Sequence, residues 1–156
     1  MSRKYTGFDK VATAKLPGTE KLVELCARRW DAKNLGTLNV RLMRSAPAGT
    51  KPNDPKWMSV HATGRAVDIQ FPNDKVKAVA VAWFEAHADV LGIEEIHVYD
   101  AGKWGKGWRV GRGWKTWTAT DNGGTPGADW LHLEISPSAA SDGAAFEAAW
   151  RSLPKP

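Results

Sequence analysis

Ser59-Val60-His61-Ala62-Thr63-Gly64-Arg65-Ala66-Val67-Asp68 is the stretch on which the reading of this chain turns. It sets an imidazole and a carboxylate seven residues apart, with Gly64 and Ala66 between them. Residues 65–71 read as a strand, which places Asp68 on a rigid element and His61 in the turn before it. Gly64 permits a backbone conformation, or a close approach, that a larger residue would block. Far downstream, Asp129-Trp130-Leu131-His132 supplies a second imidazole with an acid three residues ahead of it. Residues 130–135 also read as a strand, with Trp130, His132 and Glu134 on one face and Leu131, Leu133 and Ile135 on the other. Two histidines and one carboxylate can hold a divalent metal such as zinc and leave one position open for water. That open position is what a hydrolytic metal site requires.

The rest of the chain supplies a scaffold. Leu22, Val23, Cys26 and Trp30 recur at helical spacing within 19–33, and Gly36 supplies a stop. Residues 37–44 alternate and read as a strand, with Leu38, Val40, Leu42 and Arg44 sharing one parity. The three prolines of 45–58 mark a loop. A long helix is expected over 74–91, capped by Asn73 or Asp74, buried through Val76, Val79, Ala80, Trp83, Phe84 and Leu91, and ended by Gly92. Residues 95–99 read as a short strand. The glycine- and tryptophan-rich stretch 100–128 reads as a twisted hairpin or a long ordered loop. A last helix is expected over 142–153, with Phe146, Trp150 and Leu153 inward. There is no repeat and no linker, so the expected fold is one α+β domain over residues 1–156: a small antiparallel sheet flanked by helices.

Composition narrows the class. At 156 residues and 42% hydrophobic, the chain is long enough for one buried core and too apolar for a disordered polymer. No window is apolar for long enough to span a membrane, and the basic start, Met-Ser-Arg-Lys-Tyr-Thr, is not followed by the apolar run of a signal peptide. The single cysteine, Cys26, excludes an internal disulfide and reads as a small buried apolar residue. A net charge of +5 favours an anionic partner.

Ser59, His61, Gly64, Ala66 and Asp68 fill every fixed position of a Ser-x-His-x-x-Gly-x-Ala-x-Asp pattern, and Asp129 with His132 fills an acid-x-x-His pattern. In these residues the chain resembles the zinc D-alanyl-D-alanine carboxypeptidase and L-alanyl-D-glutamate endopeptidase family, in its phage endolysin branch. A chance match to five fixed positions occurs in roughly one window per million, and a chain of this size offers on the order of a hundred. The first motif is therefore specific, and the second gains its meaning beside it. Arg44-Ser45-Ala46-Pro47 extends the likeness upstream, so that it covers residues 44–135.

The resemblance implies a sheet of the kind shared by hedgehog domains and these peptidases, carrying one zinc ion on His61, Asp68 and His132. It implies Asp129 as the base that activates water, with Glu134 as competitor or as a carboxylate orienting a ligand histidine. Arg44 becomes the candidate for stabilising the oxyanion, with Arg41 as alternative; Arg65 reads as structural. Ser59 and His97 are candidates for touching substrate, and His87 reads as a boundary residue. The implied activity is hydrolysis of a bacterial peptidoglycan stem-peptide bond, L-Ala–D-Glu first, with a D-Ala–D-Ala carboxypeptidase or a cross-link endopeptidase as alternatives. Such an enzyme acts as a monomer, stays in the host cytoplasm until released to the wall, meets anionic wall polymers and does not insert into membranes. The interleaved tryptophans and cations of 100–128 keep a reading of another class open: a non-catalytic binder of cell wall, or less readily of nucleic acid, with a structural metal. A structural zinc ordinarily takes four Cys or His ligands, and the three ligands here favour catalysis.

Overall fold

The computed structural model describes residues 3–121 and 126–156. In chain order the elements are α1 (Pro17–Trp30), β1 (Lys33–Gly36), a 3₁₀ turn (Val60–Thr63), β2 (Ala66–Gln70), α2 (Asp74–Ala86), α3 (Ala88–Leu91), β3 (Ile93–Val98), β4 (Lys106–Arg109), β5 (Gly113–Thr116), β6 (Leu131–Ile135), α4 (Pro137–Ser141) and α5 (Gly143–Arg151). The six strands form one sheet in the order β1-β2-β6-β3-β4-β5, and every neighbouring pair is antiparallel. This is a single α+β domain, as the apolar periodicities require. Among the described residues no helix is long and apolar enough to cross a membrane.

Alternation divides the sheet into two faces. Val67 and Ile69 of β2, Leu131, Leu133 and Ile135 of β6, and Ile96 and Val98 of β3 join the helices in the core. From α1 come Leu22, Leu25, Cys26 and Trp30, from α2 Trp83 and Phe84, and from α5 Phe146 and Trp150. Trp30 meets Trp83 and Trp150 edge-on and these two meet at a tilt, at ring separations of 4.6–5.7 Å, an arrangement worth roughly 0.5–1.5 kcal/mol per pair beyond area burial. The Arg29 guanidinium lies 4.3 Å from the Trp150 ring centroid and covers the edge of this cluster. Cys26 is buried, as its helical position implies.

Several boundaries differ from the sequence reading. The first helix ends at Trp30 because Asp31 adopts a left-handed conformation and its amide caps back to Ala27; Gly36 lies beyond, at the end of edge strand β1. The long helix breaks at His87, so α2 and α3 are separate, and Val79 faces solvent rather than the core. The last helix, α5, starts just after its cap Asp142 and ends at Arg151, and a short helix that was not expected, α4, precedes it. Residues 100–128 hold the β4–β5 hairpin, the first of the two forms expected; residues 122–125 of that stretch lie outside the described residues.

The largest departure is 37–44. This segment joins no sheet. It runs beside residues 57–61 through irregular bonds, Asn39 N to His61 O, Met43 N to Trp57 O and Ser59 N to Arg41 O, with a single β-bridge between Leu42 and Met58. Val40 is half exposed. The alternation of 37–44 is real, but the stretch beside it winds into the 3₁₀ turn at Val60, so no continuous ladder forms.

Candidate metal centre

The open face of the sheet carries the site as two rows of aligned residues. In the first, Asp68 of β2 stands directly opposite His132 of β6, His132 opposite His97 of β3, His97 opposite Gly107 of β4, and Gly107 opposite Lys115 of β5. Two residues along, Ala66, Glu134, Glu95 and Arg109 form the second. β6 comes last of the six strands in sequence but sits at the centre of the sheet, and this insertion brings His132 between Asp68 and His97.

His61 reaches the first row from the 3₁₀ turn. Ser59 caps that turn, its hydroxyl accepting from the His61 amide at 3.3 Å, and Gly64 closes it with φ near 72°. A Cβ at Gly64 would also stand 3.2 Å from Leu16 Cγ. Both fixed motif positions thus shape the turn that presents the histidine.

His61, Asp68 and His132 each offer a ligand atom to one point. His61 Nε2 lies 3.1 Å from His132 Nδ1 and 3.3 Å from Asp68 Oδ2, and His132 Nδ1 lies 2.9 Å from Asp68 Oδ1. Donors placed tetrahedrally at about 2.0–2.1 Å from zinc would stand roughly 3.3 Å apart, so the three atoms already have nearly the spacing such an ion imposes. The outer ring nitrogens are also engaged. His61 Nδ1 is 3.1 Å from the Thr37 carbonyl and His132 Nε2 is 3.0 Å from Glu134 Oε1. An acceptor on the outer nitrogen fixes the tautomer whose inner nitrogen carries a lone pair, which is how ligand imidazoles are held. The donor set fits a divalent metal.

The electrostatics follow from burial and pairing. Burial works against ionised Asp68, but hydrogen bonds from His132 and His61 outweigh it and hold the carboxyl far below the usual carboxylate range. Burial likewise works against charged His132. The carboxylates of Asp68 and Glu134, one on each ring nitrogen, prevail and raise its pKa to about 10. Burial raises Glu95 as well, but His97 and Arg109 carry it down to about 2.

A cleft of about 520 Å³ opens over these rows, lined by Asp68, His132, Glu134, Glu95 and His97 among others. Ser59 also lines it. Arg41 and Arg44 both stand on its wall, Arg41 donating to the Leu42 carbonyl oxygen and Arg44 to that of Asp121, each at 3.2 Å. The His97 ring lies 5.0 Å from that of His132 and 4.9 Å from Trp117, with its Nε2 3.2 Å from Glu95 Oε1. Gly107 makes this possible. A Cβ there would fall 2.0 Å from Trp117 Cζ2, so glycine is what lets the indole lie against His97.

Asp129, the base that the family likeness implies, is paired with a lysine. Its Oδ1 bonds to Lys77 Nζ at 2.7 Å, in a group completed by Asp74, Asp100 and the Tyr99 carbonyl. It lines a separate depression and not the cleft. The cause is the buried ammonium of Lys77, a cation that draws every nearby carboxylate; nothing in the linear sequence marks it. Glu134 does face the cleft, on the same strand face as His132. Arg65 is buried and bonds to the Ile135 and Gly7 carbonyls, the structural part expected of it. His87 sits at the α2–α3 junction against Trp83.

Sequence reasoning overlooked Tyr5, Glu95, Arg109 and the Thr37 carbonyl. Glu95 and Arg109 could have been sought through strand parity, since each lies two positions from a residue of the first row. Tyr5 and a backbone carbonyl carry no local signal.

Comparison with known proteins adds no relative: no family model, curated protein or solved structure matches the chain.

Proposed function

We propose that this chain is a zinc-dependent peptidoglycan hydrolase of endolysin type that cleaves a stem-peptide bond, L-Ala–D-Glu first among the candidates. The observation that carries the reading is the convergence of His61 Nε2, Asp68 Oδ and His132 Nδ1 on one point at the floor of an open cleft, with both outer imidazole nitrogens already bonded. His61, Asp68 and His132 would hold the ion. When bound, zinc acts as a Lewis acid and brings the pKa of a coordinated water to about 7.

The chain's own groups supply the rest. Thr37 and Glu134 keep the ligand rings oriented. His97, which lines the cleft with its ring beside that of His132, is the residue we assign to take a proton from the attacking water. Glu95 then stabilises the imidazolium. Asp129, the base implied by the family likeness, takes this part only if its ion pair with Lys77 opens. Arg44, or Arg41 beside it, stabilises negative charge on the carbonyl oxygen. The cationic wall of the cleft suits an acidic wall peptide. Three ligands beneath an open cleft favour this reading over a binder with a structural metal, whose ligand shell would be closed.

The test is digestion of purified cell walls by the full chain after dialysis against zinc, with and without a chelator, and mass spectrometry of the released fragments. Bound zinc, chelator-sensitive release and new termini at L-Ala and D-Glu are expected. D-Ala release would move the assignment to a carboxypeptidase. Zinc uptake without any peptide release would leave the binding-module reading.

A further inference from the structure

The segment before α1 is folded onto the sheet, and it reaches the metal centre. Arg3 donates from Nη2 to the Ala88 and Ile93 carbonyls, each at 2.8 Å, and from Nε to Asp89 at 2.9 Å. The Thr6 amide and hydroxyl both donate to buried Glu94, at 3.1 and 2.7 Å. Between these two anchors Tyr5 crosses the second row of the site. Its hydroxyl is 2.8 Å from Glu134 Oε2 and 3.2 Å from Glu95 Oε2, and the Arg109 guanidinium carbon lies 3.9 Å from the centroid of its ring.

A phenol has one proton to donate. The contact to Glu134 is the shorter of the two, 2.8 against 3.2 Å, and Glu95 has a donor of its own in Arg109 Nε, so the proton goes to Glu134. Glu134 then accepts from Tyr5 at one oxygen and from His132 Nε2 at the other. A carboxylate held at both oxygens keeps one orientation, and through it the ring of His132 keeps Nδ1 aimed at the point shared with His61 and Asp68.

We infer that Tyr5 is a positioning residue of the metal centre, acting on the ligand His132 through Glu134, and that the N-terminal arm is part of the site. This rests on the metal reading above and not on the identity of the bond cleaved. It accounts for two anchors around a single aromatic residue. An arm that served only to cover an edge would not need a hydroxyl placed between two buried carboxylates.

The test reads metal affinity directly. Zinc dissociation constants are measured by competition with a chromophoric chelator for the full chain, Tyr5→Phe, Glu134→Gln and the double variant. Outer-shell changes of this kind weaken metal binding by about 10–100-fold. Tyr5→Phe is expected to weaken it about tenfold, and the double variant to bind no more weakly than Glu134→Gln alone, because the hydroxyl works only through that carboxylate. Thermal melting after chelation separates affinity from folding, and Tyr5→Phe is expected to keep the wild-type midpoint there. Wild-type affinity in Tyr5→Phe, or additive losses in the double variant, overturns the role of Tyr5 while leaving the metal centre standing. A wild-type chain that takes up no zinc overturns both. Zinc uptake without wall digestion removes only the hydrolase.

Discussion

His132 carries a carboxylate on each ring nitrogen, and that decides how the centre titrates. With its pKa raised to about 10, it is charged at neutral pH once zinc is stripped, so a metal must displace a proton to reach Nδ1. Calorimetry in buffers of different ionisation enthalpy is expected to find about one proton released per zinc near pH 7. The sign for stability follows. A group whose pKa is raised on folding stabilises most below its unfolded value, near 6.5. Chelated protein is therefore expected to lose stability as pH climbs from about 6.5 towards 10, which melting temperatures across that range would record. His61→Ala, Asp68→Ala and His132→Ala are each expected to lose zinc by metal analysis and to lose wall digestion with it.

The proton acceptor is His97 in the proposed mechanism and Asp129 in what the family likeness implies. His97→Gln is expected to lower kcat by at least about 100-fold with zinc retained, whereas Asp129→Asn keeps most of the activity. The reverse outcome would mean that the Lys77–Asp129 ion pair opens during turnover.

Among the elements, the 3₁₀ turn and the β4–β5 hairpin do the positioning. Ser59→Ala removes a cap of the type worth about 1 kcal/mol and frees the turn holding His61, so zinc affinity is expected to fall along with thermal stability. Gly107→Ala is a harsher change. The new methyl meets Trp117 at a distance no side-chain atom tolerates; overpacking of this kind costs about 1–3 kcal/mol. Chemical denaturation is expected to register that loss, and tryptophan fluorescence to register displacement of the indole from His97. The sequence made the hairpin legible through its glycines and tryptophans. It gave no sign that one of those glycines sits in the same row as the candidate ligands Asp68 and His132.

For the molecule as a whole, a metal held by the three candidate ligands would couple to the fold, because they come from separate segments: a turn, β2 and β6. A ligand that binds only the folded chain stabilises it by about 2.7 kcal/mol at 100 times its dissociation constant. For a domain of this size that corresponds to a melting shift of roughly 5–10 °C on adding zinc to chelated protein. Basic charge enters at this level too. Net charge is +5, so association with an acidic wall is expected to weaken as salt rises.

Periodicity and short-range motif were enough to fix the α+β class, the strands bearing Asp68 and His132, the buried faces of the helices and the three metal-ligand candidates. Each of these depends on spacing within a few residues: alternation decides which side chains share a face, and glycine marks where the backbone must turn. What the folded molecule alone decided was adjacency between distant segments. It placed β6 between β2 and β3, tied Asp129 to Lys77, set His97 beside the ligands and laid Tyr5 against Glu134. The physical reason is that strand order and long-range ion pairing arise from packing a common core and from satisfying buried charge, and neither leaves a local trace in the residues that end up touching.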